Sequence, residues 1–165
     1  KEMNELRESI RRLILESYQK TPAMELFEEM IANKEIWKHL GPCPIEECGE
    51  AYLEYTAKDP KCTYFLKIHF IDDGKGIFLA ELTSDEDGKG YDPNCENKGY
   101  ATECLKWLQE YAGFYGVYLE LWPGAYDRAS GGKQIKQRPD TSNLIRWYQS
   151  LGFEFSPNGN TMVYN

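Results

Sequence analysis

The sequence predicts a mixed α/β fold, in which a mostly antiparallel central sheet is flanked by about four helices. Three observations carry this prediction. Apolar residues recur at helical spacing over residues 5–40, the period shortens toward two over residues 51–84, and helical and strand patterns alternate afterwards. Two helices, three strands, a helix, a strand, a helix and two strands therefore follow one another, which is typical of a layered domain.

Two helices are predicted at the start of the chain. Residues 5–18 place Leu6, Ile10, Leu13 and Ile14 on one stripe, with charges opposite. The second helix begins after Thr21, a suitable N-cap, with Pro22 at the first helical position and Glu25 near its positive end. Its helical spacing runs to Leu40, with a break near Asn33, and GPCP stops it.

Three antiparallel strands are predicted next, with sequences AYLEYTA, TYFLKIHFI and GIFLAELTS over 51–57, 63–71 and 76–84. KDPKC and DDGKG supply the turns between them. A third helix follows over 99–112 and a strand over 116–122. Residues 141–151 then read as a fourth helix, stopped by Gly152, and the chain ends in a hairpin around NGN.

No repeat and no linker divides the chain, so we expect residues 1–165 to form one domain, with a helical pair over 1–45 and the sheet over 50–165. The formal net charge of −8 disfavours a nucleic-acid surface and favours a cationic partner. We expect no membrane span and no secretion signal, and hence a cytoplasmic protein.

Cysteine usage points to the same compartment. Five cysteines at irregular spacing predict free thiols in a reducing environment. His39, Cys43 and Cys48 lie close in sequence, but no CxxC pair and no fourth ligand accompany them, so we expect a loop here and no metal.

The segment ENKGYA, residues 96–101, stands at the entrance of the third helix. A helix N-terminus offers free N–H groups and a positive dipole end, and both favour a phosphate. Gly99 leaves space where a phosphate could approach the backbone, Ala101 keeps the first turn slim and Lys98 adds a cation. The alternative is that Gly99 serves only a turn.

Two motifs resemble the GNAT N-acetyltransferase superfamily. ENKGYA resembles its pyrophosphate signature, Arg/Gln-x-x-Gly-x-Gly/Ala, and TSNLIRWYQSLGFEF resembles its later helix–strand segment, through Leu144, Trp147, Tyr148, Gly152 and Phe153. The resemblance covers residues 50–165. It implies acetyl-CoA as acyl donor, a GNAT-like fold and these cofactor-binding residues: Asn97, Lys98, Gly99, Tyr100, Ala101, Thr102 and Asn143. Glu96 stands where the signature has Arg or Gln. The backbone contacts that the resemblance implies do not depend on this side chain.

The resemblance also implies direct attack by a primary amine, on a protein or a small molecule, without a covalent enzyme intermediate. Tyr148 matches the residue that protonates the departing thiolate, although its helical position also fits a core tyrosine. Two strand carboxylates are candidate bases: Glu81, read as sharing a strand face with Leu79, and Glu120, sharing one with Tyr118 and Trp122. Either could instead lie on a solvated face, and water could relay the proton.

Residues 123–140 form a long connection, which we interpret either as a lid over the acceptor or as a surface insertion. Two other functions remain open from the sequence. One is a GNAT-fold module that binds but does not catalyse, and the other is an acidic adaptor or DNA mimic. Acetyl-CoA binding without turnover, or no binding at all, distinguishes them.

Overall fold

The computed structural model describes residues 2–17, 21–41, 49–83, 93–95, 98–124 and 141–165. In chain order the helices and strands are α1 Glu2–Ser17, α2 Pro22–Ala32, β1 Trp37–His39, β2 Glu50–Thr56, β3 Thr63–Phe70, β4 Gly76–Thr83, a 3-10 turn Pro93–Cys95, α3 Tyr100–Tyr115, β5 Tyr118–Leu121, α4 Thr141–Ser150, β6 Glu154–Phe155 and β7 Met162–Tyr164. None of the described helices is long and apolar enough to cross a lipid bilayer.

The sheet has seven strands in the order β1-β2-β3-β4-β5-β7-β6. Every neighbouring pair is antiparallel except β4 and β5, which are parallel. A parallel pair needs a crossover connection, and α3 lies in the connection between these two strands. The predicted fold class, a mixed and mostly antiparallel sheet with helices, is confirmed.

Helix α2 begins as its sequence predicts. Thr21 is the N-cap, its hydroxyl accepts from Met24 N at 3.2 Å, and Pro22 occupies the first turn. The helix ends at Ala32, however, and the predicted continuation to Leu40 is wrong. Trp37 instead begins strand β1 and lies opposite Tyr55 of β2. This distant pairing outweighs the helical spacing of the local apolar residues.

The core lies on one face of the sheet. Leu53, Leu66 and Ile77 are fully buried there, together with Leu26 of α2 and Leu108 of α3. Buried large apolar side chains stabilise a fold by about 1.5–3 kcal/mol each, before the entropy of ordering the chain is subtracted. This shared core holds α2 and α3 in a fixed position against the central strands, and so fixes where α3 begins.

A disulfide joins two distant parts of this frame. Cys62, just before β3, is bonded to Cys95, with an S–S length of 2.04 Å. The prediction of free thiols is therefore wrong for these two residues, because the fold brings together cysteines 33 positions apart. Cys104 is free and buried, and Cys43 and Cys48 lie outside the described residues.

Candidate functional site

The entrance of α3 has the geometry of an open helix N-terminus. Gly99 is the N-cap, with φ 77° and ψ 12°, a left-handed conformation that side-chain-bearing residues rarely adopt. A Cβ placed on Gly99 would meet nothing within 4 Å. The turn at the start of α3 therefore favours glycine, and the space next to Gly99 is open. The left-handed conformation shows that Gly99 serves a turn, and phosphate binding at this position stays a prediction.

The predicted cofactor-binding residues divide between this entrance and the neighbouring core. Lys98 and Gly99 are exposed, whereas Tyr100 and Ala101 are half-buried and pack against the core. The carbonyl of Gly99 accepts from Glu103 N at 2.9 Å, which closes the first helical turn. The amides before Glu103 have no partner within a helix, so they are available to an anion. Asn97 and Glu96 lie outside the described residues.

A groove of about 400 Å³ extends from this entrance along α3. It is lined by Gly99, Thr102, Glu103, Lys106, Trp107 and Glu110. The last four were missed by the sequence reasoning, although they follow Gly99 at helical spacing, which is the signal that could have identified them. The groove therefore continues the candidate site along one side of the helix.

Tyr55 of β2 holds the carboxylate of Glu103, one of the residues that line the groove. Its side chain is only 2% exposed and is hydrogen-bonded to Glu103. Burial and the hydrogen bond to the Glu103 carboxylate raise the pKa of Tyr55 well above its usual value. The phenol therefore remains a neutral donor, and it orients Glu103 at the edge of the groove.

Helix α4 and the residue after it are hydrogen-bonded to α3 at two places. The indole Nε1 of Trp147 donates to Thr102 Oγ1 at 2.9 Å, and Gln109 Nε2 donates to the Leu151 carbonyl at 2.7 Å. Thr102 thus has a defined side-chain position in the first turn of α3. Asn143 is exposed near the start of α4. The bond between Trp147 and Thr102 therefore joins the second motif to the residue that follows ENKGYA.

Tyr148 is held in an aromatic cluster. Its ring centroid lies 4.8 Å from that of Trp147 and 5.7 Å from that of Phe153, and its carbonyl accepts from Phe153 N at 3.0 Å. Burial raises the pKa of Tyr148 to about 12. At neutral pH its hydroxyl is therefore protonated, which suits a proton donor and excludes a resting phenolate base.

A bulge in β4 changes the orientation of Glu81. Leu79 lies opposite Ile68 and Glu81 lies opposite Lys67, so Ala80 is an extra residue between two consecutive positions of β3. Ile68 and Leu79 are buried on the core face, and consecutive strand positions point to opposite faces. The prediction that Glu81 shares a face with Leu79 is therefore wrong, and the bulge is the physical reason.

Glu120 lies on the same sheet face as Glu81. Glu120 lies opposite Phe78 of β4, and Phe78 lies opposite His69 of β3. His69 is two positions from Lys67, the residue opposite Glu81, so all of these side chains share one face. Both candidate carboxylates are half-buried and project from the face away from the core. The structure thus places them on one face of adjacent strands, and Glu120 shares that face with Tyr118 as predicted.

The two parallel strands are paired over a short length. Their pairing runs from Gly76 opposite Tyr118 to Leu79 opposite Leu121. Strand β4 continues through the bulge to Thr83, whereas β5 ends at Leu121. The pairing of β4 with β5 therefore ends at Leu79, just before the bulge residue Ala80, and the final part of β4, which carries Glu81, extends beyond it.

The disulfide lies beside the approach to α3. Cys95 is four residues before Gly99, and Tyr64 Oη donates to the Cys95 carbonyl at 3.2 Å. Both cysteines are buried, so the chain is attached to β3 shortly before it enters the candidate site. Of the proposed lid, residues 125–140 lie outside the described part of the chain.

Of the three residues that lie close in sequence, His39, Cys43 and Cys48, the structure describes His39. The His39 ring packs edge-on against Phe27, with 5.4 Å between centroids, and the two cysteines are not described. Over the described ranges, no group of three histidine, cysteine or acidic residues has the arrangement of a metal site.

Several solved structures similar to this chain are GNAT acetyltransferases. An aminoglycoside 6′-N-acetyltransferase complexed with coenzyme A is 11% identical, with a TM-score of 0.44, over 73% of this chain and 74% of that one. The aminoglycoside 6′-N-acetyltransferase from Enterococcus faecium is 13% identical, with a TM-score of 0.42, over 94% and 86%. The anti-CRISPR protein AcrVA5 is 12% identical, with a TM-score of 0.46, over 71% and 99%. No family model and no curated protein matches the chain.

Proposed function

We propose that the protein is an acetyl-CoA-dependent N-acetyltransferase that transfers the acetyl group directly to a primary amine. The observation that carries the proposal is the entrance of α3, where left-handed Gly99 begins the helix under open space. This arrangement suits an acyl-CoA pyrophosphate, since its oxygens can approach backbone N–H groups without meeting a side chain. The second motif that resembles the GNAT superfamily is joined to the first turn of this helix by the bond from Trp147 to Thr102.

The donor would be held chiefly by the backbone. The backbone N–H groups of Tyr100, Ala101 and Thr102 are proposed to donate hydrogen bonds to the pyrophosphate oxygens, and Lys98 is exposed beside them. Asn97 and Asn143 are proposed contacts on the resemblance alone. Acetyl-CoA, when bound, supplies an activated thioester, and the chain supplies its position.

Two proton transfers remain for the protein. The amine must lose a proton, and Glu81 or Glu120, half-buried on the same sheet face, is the proposed base, directly or through water. The thiolate leaving group gains a proton, and Tyr148 is the proposed donor, because its pKa of about 12 keeps the hydroxyl protonated. The acceptor is proposed to be a cationic amine, in keeping with the net charge of −8.

Calorimetric titration with acetyl-CoA tests this proposal most directly. Gly99→Asp places a side chain and a negative charge at the helix entrance, so we expect the affinity to fall at least about 100-fold. Gly116→Asp is the matched control. Gly116 caps the other end of α3 with φ 70°, also in open space, so that variant has the same backbone strain away from the site.

The outcomes separate the candidate functions. Unchanged affinity in Gly99→Asp would contradict the assignment of this site. If the wild-type protein binds acetyl-CoA but acetylates no polyamine, aminoglycoside or peptide amine, the chain is a binding module and not an enzyme. If it does not bind acetyl-CoA, an adaptor or DNA-mimic function is favoured.

A further inference from the structure

Helix α1 carries an uncovered apolar stripe. All side chains of residues 2–10 are exposed, and the large apolar ones among them, Met3, Leu6 and Ile10, are 70%, 60% and 46% exposed. Their spacing of three and then four residues places them on one side of the helix. The first half of α1 therefore presents this stripe to solvent, while it buries no apolar side chain against the sheet.

Such a helix gains little stability by itself. Most helical stability in proteins comes from burying an apolar face against other parts of the structure and not from the helix alone. α1 spans 16 residues, and the described side chains of its first half have no cover. A partner that covers Met3, Leu6 and Ile10 would supply the missing stabilisation.

We propose that the partner is a second copy of this chain, with the two α1 helices paired in parallel as a short coiled coil. In a heptad written a to g, Met3 and Ile10 take position a and Leu6 takes position d. Leu13 continues position d in the sequence. A β-branched residue at a with leucine at d favours two parallel strands, and Ile10 and Leu6 fit that pattern.

The charges beside the stripe select the parallel orientation. Glu2 occupies position g and Arg7 the following position e, and both side chains are exposed. In a parallel pair, g of one helix meets e of the next heptad on the other, so Glu2 lies beside Arg7 of the second copy, twice by symmetry.

The antiparallel arrangement opposes like charges. In an antiparallel pair, position g of one helix lies beside position g of the other, and position e beside position e. Arg7 therefore lies beside Arg7 of the second copy. Glu2 would meet residue 16 of the second copy, which is also glutamate in the sequence. Both contacts are repulsive. The stripe is compatible with either orientation, and the charge pattern favours only the parallel one.

Sedimentation equilibrium of the full chain, over a range of concentrations, tests the pairing. We expect a reversible monomer–dimer equilibrium. Leu6→Glu places one carboxylate from each helix in the apolar contact between the two α1 helices. It should raise the dimer dissociation constant at least about 100-fold. Asn4→Glu adds the same charge at outward position b, so it is the control and should leave the constant unchanged.

A charge exchange tests the orientation and avoids any variant that alters the apolar stripe. Glu2→Arg and Arg7→Glu should each weaken a parallel dimer several-fold, and the double variant should recover the wild-type constant. In an antiparallel dimer Glu2→Arg would strengthen association, because the introduced guanidinium would face the glutamate at residue 16 of the second copy. A chain that is monomeric at all concentrations would overturn the proposal. So would strengthening by Glu2→Arg, or a double variant that fails to recover.

Discussion

Trp147 and Thr102 are joined by a hydrogen bond across 45 residues, with the indole nitrogen 2.9 Å from the threonine hydroxyl. The bond connects α4 to the first turn of α3, beside Gly99. Trp147 also packs against Tyr148, with 4.8 Å between ring centroids. One side chain therefore contacts both the helix entrance and the proposed proton donor, and it couples the positions of the two.

We expect Trp147→Phe to lower the free energy of unfolding by about 1–2 kcal/mol, because a half-buried hydroxyl loses its donor and the ring loses volume. Urea denaturation of the single variants Trp147→Phe and Thr102→Val and of the double variant measures the hydrogen bond itself. The cycle should give a coupling energy of about 0.5–1.5 kcal/mol. Strict additivity would show that the contact contributes nothing to stability.

The second prediction concerns the hydroxyl of Tyr148. Tyr148→Phe keeps the ring in its cluster and removes the proton, so we expect turnover to fall about 10- to 1000-fold with little change in acetyl-CoA affinity. Since the pKa of Tyr148 is raised to about 12, the hydroxyl is protonated throughout the neutral range. The loss should therefore be the same at pH 6 and pH 9.

Tyr164→Phe is the matched control, because Tyr164, like Tyr148, packs against Phe153, with 5.7 Å between ring centroids. It should leave turnover unchanged. Equal turnover rates and equal stabilities for Tyr148→Phe and the wild type would show that the Tyr148 hydroxyl is not the proton donor.

The third prediction concerns the disulfide. Cys62 and Cys95 close a loop across 33 residues, and a loop of that size stabilises a fold by about 3–4 kcal/mol in the chain-entropy model. The variant with Cys62→Ala and Cys95→Ala should be less stable than the oxidised protein by that amount in urea denaturation. A non-reducing digest should contain the two peptides linked. Alkylation of both thiols in the native, oxidised protein would contradict the pairing.

The fourth prediction follows from the β3–β4 turn. Asp73 accepts from Lys75 N and from Tyr118 Oη, both at 2.8 Å, and these two hydrogen bonds lower the pKa of Asp73 below its usual value. A lowered pKa in the folded state means that the carboxylate stabilises the fold above its unfolded pKa of about 3.9. That contribution is lost as pH falls through the folded pKa.

The difference in unfolding free energy between the wild type and Asp73→Asn should therefore favour the wild type at neutral pH and disappear in acid. Asp72→Asn removes a neighbouring exposed charge and serves as the control. A stability difference that is independent of pH would show that the charge of Asp73 is not the source of its effect.

Local chemistry predicted much of the fold. Residue spacing and turn residues predicted the N-cap at Thr21, strands β2, β3 and β4, and helices α3 and α4. Strand β1 could not be predicted, because the apolar residues up to Leu40 continue a helical spacing and only pairing with β2 makes Trp37–His39 a strand. The Cys62–Cys95 bond is equally remote in sequence.

The candidate site was predicted in part. Gly99 was identified from its place before a helix, although its left-handed conformation was not foreseen. Glu81 was assigned to the wrong face, since alternation fails wherever a bulge inserts a residue, and nothing in FLAELTS marks Ala80 as that residue. Glu103, with its bond to Tyr55, depends on packing between α3 and β2 that spacing alone does not specify.

The last prediction concerns the base. If Glu81 or Glu120 accepts the proton of the amine, activity should rise with pH through one apparent pKa, and the glutamine variant of the true base should flatten that rise. Both residues lie on the sheet face away from the core, so glutamine, which has nearly the same shape, should leave the fold intact. Glu54→Gln, on the same face of β2, is the control and should retain the wild-type profile.

The acceptor also titrates, and acceptors of different basicity separate the two effects. An apparent pKa that follows the acceptor belongs to the amine, and one that stays constant belongs to the enzyme. Of the two carboxylates, Glu81 lies on the part of β4 that extends past its pairing with β5, where a substrate between the strands would be nearest. We therefore expect Glu81→Gln to have the larger effect. If both glutamine variants keep the full pH profile with every acceptor, neither carboxylate is the base, and the proton leaves through water or a residue of the 123–140 segment.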